Sequence, residues 1–202
     1  PGLGKTPLAI GLSNMIEGKR VLVICPGFLK LHWQREFKRW DTQGKWAEYV
    51  KNGKDKSAFD FNAVIINYEL LKKFREEIRS IFWDLLIVDE VHKLKNRRTD
   101  RTREVWGGIR RDGKGKIVER VAPIQAKKYI YLTGTPSLNG KPKELWPMLQ
   151  QCDPTGLGSD WFSFAKRYCK LVELTRYDLA QAKQVRVGWK WDGADNLEEL
   201  QE

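Results

Sequence analysis

Two short stretches of this chain carry residues that could do chemistry on phosphates. The first is GLGKT, residues 2–6. Glycines at Gly2 and Gly4, with Leu3 between them, let backbone N–H groups surround phosphate oxygens, and the helix expected to follow adds its positive N-terminal end. Lys5 would reach the β- and γ-phosphates of a nucleoside triphosphate, and the Thr6 hydroxyl would bind Mg²⁺. The full phosphate-loop pattern needs a glycine five places before Gly4, upstream of Pro1, so the match is partial. The second stretch is DEVH, residues 89–92, after the apolar run Leu85–Val88. That order puts two carboxylates at the carboxyl end of a buried strand, where α/β proteins bind ligands. Asp89 would hold the Mg²⁺, and Glu90 beside it would polarise the water that attacks the γ-phosphate. A third element, Thr133, Gly134 and Thr135, places small hydroxyl residues after another strand, where they could bond the acidic motif and sense loss of the γ-phosphate.

These residues need a parallel sheet to hold them. Four nearly continuous apolar runs, Val21–Cys25, Ala63–Asn67, Leu85–Val88 and Tyr129–Thr133, read as strands covered on both faces, and Ala47–Val50 as a weaker one. Helices are expected between them over Thr6–Ile16, Phe28–Trp40, Tyr68–Ile81 and Pro142–Gln151. Leu29, Trp33 and Phe37 recur at helical spacing and form a stripe for packing on the sheet. Residues 107–123 read as a basic β-hairpin turning at Asp112 and Gly113. From Asp153 the composition shifts to Gly, Asp, aromatic and basic residues without a clear strand. The expected division is therefore a lobe over 1–152 and a partly helical extension over 153–202.

The 202 residues carry a formal net charge of +11, distributed unevenly. Between residues 93 and 128 stand thirteen lysines and arginines against four acids, a local balance of +9 that suits a polyanionic partner. With 41% hydrophobic and 31% charged residues the chain reads as soluble and globular, not disordered. No apolar run approaches the roughly 20 residues of a membrane span, and no secretory signal precedes the phosphate loop, so an intracellular location is expected, in cytoplasm, nucleoid or nucleus. Cys25, Cys152 and Cys169 form neither a disulfide framework nor a zinc pattern and read as reduced, packed thiols. The chain opens at Pro1 inside a motif, without an initiator Met, and reads as a fragment.

The order and spacing of these stretches resemble the first lobe of superfamily-two helicases of the Swi/Snf type, which are double-stranded-DNA translocases. GLGKT with Ala9 and Ile10 is similar to the family's motif I. Val23–Pro26 with Leu29, Trp33, Glu36, Phe37 and Trp40 resembles motif Ia, and Val64–Leu71 resembles motif Ib. Asp89–Asn96 closely resembles the extended DEAH box, whose Leu94, Lys95 and Asn96 are its diagnostic tail. Leu132–Pro136, Asn139 and Glu144–Trp146 resemble motif III and its following helix. Phe164–Cys169 and Trp191–Leu200 are similar to the annealing-helicase branch. The sequence departs from the family at Pro7, at Leu138, and in the lengthened connection over 107–123.

The resemblance implies a three-layer RecA-like P-loop NTPase lobe with a mainly parallel sheet. It implies a DNA-dependent ATPase with ATP and Mg²⁺ as cofactors, in which Lys5, Asp89, Glu90 and His92 are catalytic and Thr6 and Asp89 hold the metal. Gly2, Leu3, Gly4, Lys5 and Thr6 would bind ATP, and His92 would couple nucleotide state to Thr133 and Thr135. The loops at Pro26, Lys30 and Tyr68, and the stretch at Lys95 and Asn96, would touch the DNA backbone. The hairpin residues Arg110, Arg111, Lys114 and Lys116 are a further candidate DNA contact. The partners implied are duplex DNA and a second RecA-like lobe, with no membrane, and the isolated chain is expected to be inactive or weak. Competing readings are a silent binding or assembly module, a strand-separating or restriction-type motor, and a small-molecule kinase. The basic run after DEVH argues against the last.

Overall fold

The computed structural model describes residues 4–16, 20–135, 140–178 and 182–201. The chain divides into two compact units, Pro1–Gly134 and Thr135–Glu202. The first contains, in order, α1 (Lys5–Met15), β1 (Val21–Cys25), α2 (Lys30–Trp40), β2 (Ala47–Tyr49), β3 (Ala63–Asn67), α3 (Arg75–Ser80), β4 (Trp83–Asp89), α4 (Asp100–Trp106), β5 (Gly108–Arg111), β6 (Ile117–Val121) and β7 (Ala126–Leu132). Among the described residues, five strands form one sheet in the order β2-β3-β1-β4-β7, with each neighbouring pair parallel. This is the expected α/β architecture.

The apolar runs form central strands because both faces are covered. On one face Val21, Val23, Cys25, Ala63, Ile65, Leu85 and Ile87 pack against Ala9 and Ile10 of α1 and Trp33 and Phe37 of α2. The alternate residues Leu22, Ile24, Val64, Ile66, Leu86 and Val88 point the other way, as the pleat requires, and are equally buried. Full burial of each such side chain contributes roughly 1.5–3 kcal/mol. The register matters for function. Cys25 pairs with Asn67, and Asp89 with Leu132, so β1, β3, β4 and β7 end along one edge of the sheet.

Element boundaries differ from expectation where local chemistry intervenes. The stretch from Tyr68 is not one helix: a 3-10 turn spans Tyr68–Leu70 and α3 begins only at Arg75. The segment from Pro142 is likewise a 3-10 turn, Pro142–Glu144, followed by α5 (Trp146–Cys152). The Pro147 ring would clash with the carbonyl four residues back, which stops a single helix from running through. In β5–β6 the turn closes over 112–116, longer than a two-residue Asp112-Gly113 turn, and Gly115 takes the positive φ of 82°.

The second unit holds α5, α6 (Trp161–Tyr168), β8 (Leu171–Asp178), β9 (Lys183–Trp191) and α7 (Leu197–Gln201). The compact units meet at 134/135, and the expected boundary at 152/153 does not mark that division. Trp146 of α5 shares an apolar cluster with Phe164, Ala165, Tyr168 and Cys169, which draws α5 into the later unit. Nor is this region free of strands, since β8 and β9 pair antiparallel. Asp160 caps α6 by accepting the Ser163 N–H at 2.7 Å. The three cysteines are unpaired; Cys25 and Cys169 are buried, whereas Cys152 is exposed, contrary to the expectation of a packed thiol.

Candidate acidic and phosphate-loop site

The carboxyl edge of the sheet gathers the acidic motif. Asp89, the last residue of β4, is 5% exposed. Its Oδ2 accepts a hydrogen bond from the Trp33 indole Nε1–H at 2.9 Å, and its Oδ1 accepts the Glu90 backbone N–H at 2.9 Å. Its backbone carbonyl accepts the Tyr68 hydroxyl at 2.6 Å. Burial pushes the Asp89 carboxyl up, while the Trp33 hydrogen bond, the Glu90 N–H and the charge of Lys5 pull it back toward the ionised form.

Glu90 sits at φ 53°, ψ 50°, the left-handed region that side chains other than glycine seldom occupy. This sharp exit from β4 turns the chain into a 3-10 segment, Val91–Leu94, anchored by buried Val91 and Leu94. His92 is thereby brought back toward Glu90. Its Nδ1 lies 3.1 Å from Glu90 Oε2 and 3.0 Å from Thr133 Oγ1. Which atom donates in the His92–Thr133 contact depends on the tautomer of the ring. Thr133 arrives because it follows β7, whose Leu132 is paired with Asp89. The His92–Thr133 contact expected from the resemblance is present; Gly134 and Thr135 fall on either side of the unit boundary.

At the start of the chain, Gly4 adopts φ 69° as the N-cap of α1. A side chain there would meet no neighbour, but the positive φ favours glycine. Among the described residues, no side chain caps α1 and its first turn holds no acid, an arrangement that suits an anion at its positive end. Pro7 fits because a first helical turn does not need its missing N–H. Gly2 and Leu3 lie outside the described residues, as do Pro136, Leu138 and Asn139.

The residues expected to touch DNA separate into two groups. Pro26 and Tyr68 are buried, and the Tyr68 hydroxyl is already engaged by Asp89. Lys30 is turned inward: its ammonium donates to the Val50 carbonyl at 2.6 Å and lies over the Tyr49 ring. Burial lowers its pKa. Pro26 and Tyr68 are thus buried and Lys30 is half-buried, with the Lys30 and Tyr68 polar groups engaged within the protein. Lys95 is half-buried, and exposed Asn96 accepts the Arg98 N–H at 2.9 Å in a tight turn.

Arg110, Arg111, Lys114 and Lys116 are all exposed on the hairpin. Arg110 pairs with Glu119 at 3.0 Å, and Arg111 donates to the Gly115 carbonyl at 2.8 Å. Asp112 Oδ1 closes the turn by accepting the N–H groups of Lys114 and Lys116, each at 2.9 Å. The base of the hairpin is anchored by a network that the sequence pattern did not reveal. Arg75 grips buried Glu104 with two guanidinium nitrogens and donates to Glu119 on β6 at 2.6 Å. Arg79 donates to the carbonyls of Glu104 and Ala122 at 3.1 and 2.6 Å. The Arg75 hydrogen bond holds the Glu119 carboxyl below its ordinary range.

Comparison with known proteins gives this geometry a family. Residues 1–184 match the SNF2-related domain, and the chain belongs to that family. It is a RecA-like lobe of the Swi/Snf helicase type. It is 30% identical over 207 residues to the DNA annealing helicase and endonuclease ZRANB3 of Bos taurus, covering 98% of this chain and 17% of that protein. It is 29% identical to the DNA repair and recombination protein RAD54B of Homo sapiens, covering 93% of this chain and 20% of that protein. The Sulfolobus solfataricus SWI2/SNF2 ATPase core in complex with dsDNA superposes with a TM-score of 0.56 at 23% identity, over 83% of this chain and 32% of that one. That likeness establishes the fold. The chain spans about a fifth of the length of these curated relatives. No helix among the described residues is long and apolar enough to cross a membrane.

Proposed function

We propose that this chain is the nucleotide-binding lobe of an ATP-driven motor that moves along duplex DNA. The observation that carries the proposal is the meeting, at one sheet edge, of Asp89, Glu90, His92 and Thr133.

The residues fit a Mg²⁺–triphosphate. Gly4 and the uncapped start of α1 would receive phosphate oxygens, and Lys5 would neutralise their charge. Each Asp89 oxygen accepts one hydrogen bond and keeps a further lone pair, which suits a cation held by few protein ligands and several phosphate oxygens. The Thr6 hydroxyl would complete the protein's share. When bound, Mg²⁺ supplies charge neutralisation across the β- and γ-phosphates. Glu90 would accept the proton of the attacking water, with His92 holding its carboxylate in place. A change at the phosphate end could then reach β7 through the His92–Thr133 contact.

The polyanion enters through the exposed basic surface. Arg110, Arg111, Lys114, Lys116, Lys95 and Asn96 remain the candidate backbone contacts, a set that binds without reading sequence. The likeness to an annealing helicase favours rewinding of separated strands over their separation. A second lobe would contribute the remaining transition-state contacts, so the isolated chain should turn over ATP weakly.

Hydrolysis and strand displacement by the full-length protein test the proposal. Duplex DNA should stimulate hydrolysis more than single strands, without net displacement of a paired strand. Preferential stimulation by single strands with efficient displacement would instead establish a strand-separating helicase. DNA binding without any hydrolysis would establish a silent module.

A further inference from the structure

We propose that Trp33 is a positioning residue for the metal-binding carboxylate: its indole N–H sets the orientation in which Asp89 meets a divalent cation. The inference rests on the Mg²⁺–nucleotide reading of Asp89 and adds a residue to it.

Trp33 and Phe37 form one apolar face of α2, and packing alone would be served by any large ring. The Trp33 indole does something a phenyl ring cannot. It is 0% exposed, and its one polar atom donates to Asp89 Oδ2 across 56 positions of sequence. A buried indole N–H needs an acceptor, and a buried carboxylate needs donors. Here one hydrogen bond satisfies both.

A second aromatic residue reinforces the arrangement from another element. Tyr68, 3% exposed at the end of β3, donates to the Asp89 backbone carbonyl at 2.6 Å. Asp89 is thus held at its carboxylate by α2 and at its backbone by the turn after β3. Both hydrogen bonds leave lone pairs on the carboxylate for a cation. Such an arrangement removes rotamer freedom that metal binding would otherwise have to suppress.

The test is Mn²⁺ affinity in the presence of a non-hydrolysable ATP analogue, read by electron paramagnetic resonance on the full-length protein. Trp33→Phe, which keeps the ring and drops the N–H, should weaken Mn²⁺ binding by about tenfold, as expected for loss of an outer-shell partner. Tyr68→Phe should weaken it less, because it releases only the backbone. Metal-free nucleotide affinity should stay unchanged in both, which a merely structural role for Trp33 would not produce. Asp89→Asn should remove the site. If Asp89→Asn leaves Mn²⁺ binding intact, the metal reading of Asp89 itself fails. If Asp89→Asn abolishes binding while Trp33→Phe binds as the parent does, the positioning role is overturned. Should Trp33→Phe fail to melt cooperatively, benzothienylalanine at position 33 decides by the same criteria, since it preserves the bicyclic shape and replaces the N–H by sulfur.

Discussion

The acidic corner at the end of β4 and the basic hairpin β5–β6 belong to one compact unit, yet they are built in opposite ways. In the corner the carboxylate proposed to hold the metal is buried, and each of its oxygens is held by a donor from the protein itself. On the hairpin the basic groups proposed to meet DNA are exposed, and the buried acid Glu104 anchors its base. A site that acts on one small phosphate group needs its charge fixed before the ligand arrives, because reorganisation would add to the barrier. A surface that tracks a phosphate backbone needs only correctly placed, solvated charge.

The contrast can be broken most strongly at Asp89. Asp89→Asn removes the charge while preserving shape, and should lower duplex-dependent turnover by about 10³-fold, corresponding to roughly 4 kcal/mol of transition-state stabilisation. Turnover within a few-fold of the parent would remove Asp89 from the chemistry. The hairpin anchor comes next. Glu104→Gln leaves Arg75 and Arg79 facing a neutral amide and should cost about 2–3 kcal/mol in urea unfolding, below the range for fully buried pairs because both guanidinium groups are partly wet. Unfolding at the parent's midpoint would show that the network does not anchor the hairpin.

Neutralising Arg110, Arg111, Lys114 and Lys116 together should leave DNA-independent turnover unchanged. The slope of log affinity for duplex DNA against log salt should flatten by about 2–4. An unaltered slope would make the hairpin a solvated surface feature. The smallest expected effect separates two hairpin glycines. Gly107 has φ 76°, and a Cβ there would lie 2.9 Å from the Pro123 ring, whereas a Cβ at Gly113 would meet nothing. Gly107→Ala should therefore destabilise by roughly 1–2 kcal/mol and Gly113→Ala by a few tenths at most, as measured by thermal melting. Equal losses would contradict a fixed root beneath a tolerant tip.

The same contrast explains what the sequence made legible. The central strands are readable because burial on both faces leaves unbroken apolar runs such as Val21–Cys25, and the acidic motif is readable because it closes one of them. Trp33 and Tyr68 also stand out, but their polar atoms do not. Whether an indole N–H reaches Asp89 depends on how α2 lies across β4, a long-range fact that helical spacing does not carry. The spacing did identify the buried face of α2. Its one missed clue was general: a buried Trp seeks an acceptor. Lys30 shows the converse, a basic residue beside a motif expected to face DNA whose ammonium is drawn inward by Val50. The β8–β9 pair was hidden for another reason. Its described side chains are exposed or half-exposed on β9 in a pattern with no period of two, so no buried face writes an alternation into the sequence.

Duplex-stimulated ATP hydrolysis by the full-length protein carrying Glu90→Gln is the most direct test of the role of this corner. That substitution keeps the side chain's size and removes the group assigned to the water's proton. It should leave Mg²⁺–nucleotide and duplex affinity near those of the parent and reduce stimulated turnover by about 10²-fold or more, the range of general-base catalysis. Stimulated turnover at the parent's rate would contradict the role of this corner in hydrolysis.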